Sequence, residues 1–281
     1  MTRARDPGSP IRVLEIGPAG ESVPLLLLHG FTGSARAWGA ALLGALSAGR
    51  QVLAADLPGH GETPALSDPE DDGIEAVAKA LAGALDQRGI DRADWVGYSM
   101  GGRVALAAAV TAPERVRRLV LESASPGIEE AAAREERREE DEALSTRIER
   151  LGMGWFVDYW MGQPIFDSQH RLSMKSLEET RALRLRNRPS GLAAALRGYG
   201  LGAQPSYWGA LSSLRHPTLV LTGALDEKFT EIGARMAKVL PRGTHRSVEN
   251  AGHAIHLEDP EGWLAEVTAF LNETGEEAGS D

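Results

Sequence analysis

Cysteine is absent from the 281 residues, which excludes disulfides, thiolate catalysis and Cys-ligated metals. No apolar run approaches membrane-spanning length, and the run Leu25, Leu26, Leu27, Leu28 reads as a short buried strand. Positive charge is in the minority: 30 Lys and Arg stand against 40 Asp and Glu, a formal net charge of −10. General nucleic-acid binding relies on a basic surface and is not expected. The histidines show no H-E-x-x-H or comparable ligand spacing, there is no Walker A pattern, and no G-x-G-x-x-G opens a helix after a strand. Neither a metal nor another cofactor is expected. Residues 1–10 are basic in part but have no apolar segment behind them, so no secretory signal is expected, nor membrane insertion, and the cytoplasm is the expected location.

Apolar content of 42% beside 25% charged residues describes a globular chain, long enough for one α/β domain with or without an insertion. Short apolar runs at residues 11–16, 24–28, 51–55, 95–98, 118–121 and 218–221 read as strands. Ala- and Leu-rich stretches at 37–46, 74–87, 100–111, 231–240 and 261–271 read as helices. Strands alternating with helices imply a mostly parallel sheet covered on both faces. Residues 127–214 break the rhythm: charged at first, without a convincing strand, and carrying Trp155, Phe156, Tyr159, Trp160, Phe166, Tyr199, Tyr207 and Trp208. This is expected to be a helical insertion over the end of the sheet. Residues 1–10 and 273–281 read as flexible tails.

The strongest local signal is Gly97-Tyr98-Ser99-Met100-Gly101-Gly102, which follows an apolar strand and precedes an Ala-rich helix. That context turns G-x-S-x-G into a nucleophile elbow, a tight turn that thrusts the serine hydroxyl into a cleft. A serine needs a base, and the base an orienting acid, in the chain order Ser, Asp, His. Asp226 follows the last expected strand, and His253 sits in Ala251-Gly252-His253 ahead of the final helix. His256 is a rival, but the small residues before His253 suit a loop that must approach the elbow. Backbone N–H groups of Met100, at the start of the elbow helix, and of Phe31, in the loop after residues 24–28, are candidates for an oxyanion site. His29 is expected to hold that loop by hydrogen bonding, and the segment Asp56-Leu57-Pro58-Gly59-His60-Gly61 to be a structural turn. Arg103, four residues after Ser99, is more useful to a carboxylate-bearing substrate than to an apolar ester.

Several blocks carry a resemblance beyond the elbow: residues 28–34 with Trp38, 97–103, 121–127, Asp158-Tyr159-Trp160 with Gln163-Pro164-Ile165-Phe166, Arg184-Leu185-Arg186-Asn187, Gln204-Pro205-Ser206 with Trp208, Asp226-Glu227-Lys228-Phe229, and Gly252-His253-Ala254-Ile255-His256. In these the chain resembles the 2-succinyl-6-hydroxy-2,4-cyclohexadiene-1-carboxylate synthases of menaquinone (vitamin K2) biosynthesis, lyases within the α/β-hydrolase superfamily. The resemblance implies an α/β-hydrolase fold, with residues 11–126 and 215–272 as the core and 127–214 as a helical cap. It implies elimination of pyruvate from a polyanionic small-molecule substrate, without a cofactor. Ser99 would then be a general base supported by His253 and Asp226, with Phe31 and Met100 N–H groups binding developing charge. Arg103, Arg137 and Arg184 would hold carboxylates, while Tyr98 and Trp160 line the pocket. Arg134 and Arg138 are alternatives to Arg137, and Arg186 to Arg184. The competing expectation is a serine hydrolase of small acidic esters or thioesters.

Overall fold

A computed structural model of the chain describes residues 11–20, 22–66 and 73–273. Among these, seven strands form one sheet: β1 (Val13–Ile16), β2 (Leu25–Leu28), β3 (Val52–Ala55), β4 (Ala93–Tyr98), β5 (Val116–Glu122), β6 (Thr218–Gly223) and β7 (Gly243–Val248). Their spatial order is β1-β3-β2-β4-β5-β6-β7; β1 runs antiparallel to β3 and every other pairing is parallel. The strand side chains alternate between two apolar layers. Leu26, Leu28, Leu53, Ala55, Trp95 and Leu121 face α2 (Ile74–Asp86) and α3 (Met100–Thr111). Leu25, Leu27, Val52, Ala54, Val96 and Val120 face α1 (Gly39–Leu46) and α9 (Pro260–Asn272). Burial on both faces explains why these strands are continuous apolar runs.

Between β5 and β6 the chain forms no strand. It builds α4 (Ala131–Met161), α5 (Met174–Leu185) and α6 (Pro189–Tyr199). α4 breaks at Gly152, whose φ of +78° a side chain would disfavour. Beyond that break Phe156 joins Ile148, Leu192 and Leu196 in a small apolar cluster, against which Phe31 and Trp160 also pack. The insertion is thus tied to the loop after β2.

The described elements depart from the sequence expectations in three places. β7 was not among the expected strands: its residues GTHRSV are half-exposed, as an edge strand allows, so no apolar run marks it. α7 (Glu227–Val239) starts at Glu227, earlier than the apolar pattern from residue 231. The Asp226 side chain caps it by accepting from the Phe229 N–H at 3.3 Å, which lets the polar first turn be helical. Glu273, assigned to the C-terminal tail, is instead held by its carbonyl, which accepts from Arg118. The rest of the two expected tails, residues 1–10 and 274–281, lies outside the described residues. No helix among the described residues is long and apolar enough to cross a membrane, and none of their His, Asp and Glu side chains cluster as a metal site would require.

Candidate active site

Ser99 sits between β4 and α3 with φ at +50°, a backbone conformation uncommon for a non-glycine residue. The turn is held on both sides, by Ser99 N–H to the Glu122 carbonyl (2.8 Å) and Arg103 N–H to the Ser99 carbonyl (3.0 Å). Its tightness explains the neighbouring glycines: a Cβ at Gly97 would strike the backbone of Gly101, and one at Gly101 would strike Leu28 and His29. The Met100 amide opens α3 and has no acceptor within the helix, so it is available at the positive end of the dipole.

His253 lies between the serine and an acid. Ser99 Oγ is 3.1 Å from His253 Nε2, and His253 Nδ1 is 2.7 Å from Asp226 Oδ2. The tautomer that satisfies both has Nδ1–H donating to the carboxylate and Nε2 accepting from the hydroxyl. The imidazole is 3% exposed, with the rings of Phe229 (4.6 Å between centroids), Tyr98 (5.4 Å) and Phe166 (6.2 Å) around it. Close approach of the His253 loop to β6 depends on Gly223, where a Cβ would strike the carbonyls of Ala251 and Gly252. His256 is not in this relay: its Nδ1 donates to Glu122 Oε1 at 2.7 Å.

The loop after β2 is fixed by His29, which donates from Nδ1 to the Gly30 carbonyl (2.8 Å) and accepts at Nε2 from Leu57 N–H (3.0 Å). The turn beginning at Asp56 supports it, since Asp56 accepts from Ala35 and Glu62 N–H groups. Asn187, at the end of α5, spans both: its Nδ2 donates to the Thr32 carbonyl (2.7 Å) and its Oδ1 accepts from Gly61 N–H (2.8 Å).

These elements enclose a cavity of about 220 Å³, lined by Ser99, His253, Phe31 and Met100 together with Tyr98 and Trp160. Arg103, Arg137 and Arg184 also line it, whereas Arg134, Arg138 and Arg186 do not. Arg134 donates to the Ile128 carbonyl, and Arg138 lies in an exposed pair with Glu135 at 3.6 Å. Arg103 is 8% exposed; burial, reinforced by the charge of Arg137, pushes its guanidinium down to about 10, so it stays cationic at neutral pH. Burial also lowers Arg184, whose guanidinium lies 5.0 Å over the Phe166 ring and has a buried Nη1 without a partner. The Trp160 Nε1 is likewise buried without a partner. Arg137 is already engaged, its Nε donating to Asp141 at 2.9 Å. Burial and the charge of Glu122 push the Tyr98 phenol well above its ordinary range, so it is a neutral wall of the cavity. Lys228 and His256 also line the cavity; the sequence reading gave Lys228 no role in the site and weighed His256 only as a rival to His253. Lys228 had one usable signal, its place two residues after Asp226.

The profile of the alpha/beta hydrolase fold family matches residues 23–260. A protein of Salmonella agona (strain SL483) named 2-succinyl-6-hydroxy-2,4-cyclohexadiene-1-carboxylate synthase is 35% identical over 247 residues, covering 88% of this chain and 93% of its own. A protein of Bacillus subtilis (strain 168), named provisionally for the same activity, is 39% identical over 260 residues, covering 92% and 93%. A solved structure described as MenH from S. aureus superposes with a TM-score of 0.88 at 34% identity, covering 93% of this chain and 98% of that one.

Proposed function

Since the chain belongs to the alpha/beta hydrolase fold family and, within it, to the 2-succinyl-6-hydroxy-2,4-cyclohexadiene-1-carboxylate synthases, we propose that it forms that product by eliminating pyruvate, with Ser99 as the general base. The substrate is 2-succinyl-5-enolpyruvyl-6-hydroxy-3-cyclohexene-1-carboxylate, and the names of the two compounds prescribe the bond changes. A proton leaves the ring carbon that bears the succinyl group (C2), its bonding pair forms the C2–C3 double bond, the 3,4 double bond shifts to C4–C5, and the C5 bond to the enolpyruvyl oxygen breaks with the electron pair leaving on oxygen. The result is the 2,4-diene and enolpyruvate, which becomes pyruvate on protonation.

Each step has a candidate group. Ser99 Oγ passes its proton to His253 Nε2 across 3.1 Å and takes the ring proton, while Asp226 stabilises the imidazolium. Loss of that proton puts negative charge on the neighbouring succinyl carbonyl oxygen, and the Phe31 and Met100 N–H groups are the donors for it. The proton held by His253 is then available to the departing enolpyruvate. Arg103, Arg184 and Arg137 hold the carboxylates, and residues 127–214 act as a cap that keeps water from the reacting carbons.

One observation carries the reading: a serine–imidazole relay shares a single cavity with three arginines in a chain of net charge −10. A polyanionic substrate accounts for that local reversal of charge, and an apolar ester does not. The test is pyruvate release, followed with lactate dehydrogenase, from freshly made substrate, beside Ser99→Ala and an enzyme-free control. We expect the wild type to exceed Ser99→Ala by about a thousandfold or more in kcat, as removal of a triad serine costs elsewhere, and to release pyruvate well above the enzyme-free control. No excess pyruvate, together with Ser99-dependent turnover of p-nitrophenyl esters, would return the protein to the hydrolases of small acidic esters.

A further inference from the structure

Arg103 reaches the cavity from the elbow helix, but what holds it comes from the insertion, about a hundred residues on. Its Nη1 donates to the Gln204 side-chain Oε1 at 2.6 Å and to the Tyr199 carbonyl at 3.2 Å. Both acceptors are neutral. Arg137 on the same cavity has the opposite arrangement, an ion pair with Asp141, whose other oxygen accepts from Gly202 N–H at 3.1 Å. The turn after α6 therefore meets both arginines, supporting the carboxylate that neutralises one and supplying an amide to the other. The Gln204 backbone closes that turn through its N–H to the Gly200 carbonyl (3.0 Å).

Gln204 is fully buried, and its Nε2 has no hydrogen-bond partner. A glutamate of the same shape would have no hydrogen to leave unsatisfied and would form a charge-assisted bond to Arg103. It would equally bury a charged oxygen with no donor in place of that hydrogen, so stability alone does not choose between the two residues. The amide is also hemmed in: Gly127 adopts φ +101°, and a Cβ there would come within 3.0 Å of Nε2. The side chain thus has little room to turn its nitrogen toward another acceptor.

We propose that Gln204 is a positioning residue for anion recognition, fixing the Arg103 guanidinium through a neutral oxygen so that no bonded carboxylate competes with a substrate carboxylate for its charge. This rests on the reading of Arg103 as a carboxylate holder. It gives the insertion a task beyond covering the site, because the charge of an elbow residue is set by a cap residue.

The test is Gln204→Glu, which keeps the shape and adds a charge. Its KM for the elimination substrate should rise about tenfold or more while kcat changes little, since binding is weakened equally in ground and transition states. The rate at which a neutral fluorophosphonate labels Ser99 should stay unchanged, a result that general damage to the site would not give. In an Arg103→Met background the same substitution should have almost no further effect on KM, because the two residues act through one interaction. An unchanged KM in folded Gln204→Glu, or full additivity with Arg103→Met, overturns the proposal. Should Gln204→Glu not fold, Gln204→Met replaces it: a several-fold rise in KM is expected, and none overturns the proposal. If the wild type releases no pyruvate, the substrate reading fails separately. Binding of succinate, followed by tryptophan fluorescence, then decides: weaker binding to Gln204→Glu and to Arg103→Met than to wild type is expected, and equal binding to all three overturns the proposal.

Discussion

Two imidazole–carboxylate pairs have histidines three residues apart in the sequence, and their geometry is nearly the same. His253 Nδ1 is 2.7 Å from Asp226, and His256 Nδ1 is 2.7 Å from Glu122. The difference lies in what surrounds each pair. Asp226 has one further bond, to Phe229 N–H, and the far nitrogen of its histidine meets the Ser99 hydroxyl. Glu122, fully buried at the end of β5, accepts three donors: His256 N–H (3.1 Å), His256 Nδ1–H and Trp263 Nε1–H (2.8 Å). In the proposed mechanism the first pair delivers a base to Ser99, while the second ties the segment after His253 to the sheet and to α9. A carboxylate beside an imidazole is therefore no sign of catalysis until the far nitrogen is accounted for.

Breaking the first pair should have the larger effect. Asp226→Asn keeps the shape but replaces an acceptor with an amide that can reverse the histidine tautomer, so that Nε2 carries the hydrogen and no longer accepts from Ser99. Loss of kcat by about a thousandfold to ten-thousandfold is expected, with secondary structure intact by circular dichroism. A loss under tenfold would remove Asp226 from the relay.

The sequence made the first pair legible and left the second unread. Ser99, Asp226 and His253 each sit beside a local marker, the elbow glycines, the end of an apolar strand and a pair of small residues. Glu122 lies in a strand whose buried positions otherwise read as apolar, and its partners are 134 and 141 residues away. A separation of 101 residues likewise hid the pairing of Gln204 with Arg103. The choice of Arg137 over Arg134 and Arg138 depends on which face of α4 meets the cavity, which a run of alternating charges does not declare. The core strands were legible because both their faces are buried, and β7 was not because it lies at an edge.

Glu122→Gln probes the second pair, with a smaller effect of a different kind. The substituted amide presents hydrogens to Trp263 Nε1 or to His256, leaving a buried donor without an acceptor. About 1–3 kcal/mol of stability should be lost, a shift of several degrees in a thermal melt. The kcat below the melting range should change far less than in Asp226→Asn. A fall as large as that of Asp226→Asn would place Glu122 in the chemistry and erase the distinction between the pairs.

A third imidazole, His60, sharpens the comparison because no carboxylate partners it. It is fully buried, donates from Nδ1 to the Pro58 carbonyl at 3.1 Å, and has an unpartnered Nε2. Burial, with a contribution from His29, lowers it from 6.5 to about 3. Above pH 6.5 the ring is neutral in both the folded and unfolded chain and contributes no pH dependence. Between 6.5 and 3 the unfolded chain binds a proton that the folded one refuses, so stability falls as pH falls. One proton corresponds to about 1.4 kcal/mol per pH unit once the unfolded ring is fully protonated. His29, also lowered by burial, adds to the same trend. Urea unfolding of the wild type and His60→Gln at several pH values between about 7 and 5 isolates the His60 share, and the variant should lose stability less steeply. Parallel slopes would mean that His60 is protonated in the fold, and that burial without a carboxylate does not by itself keep an imidazole neutral here.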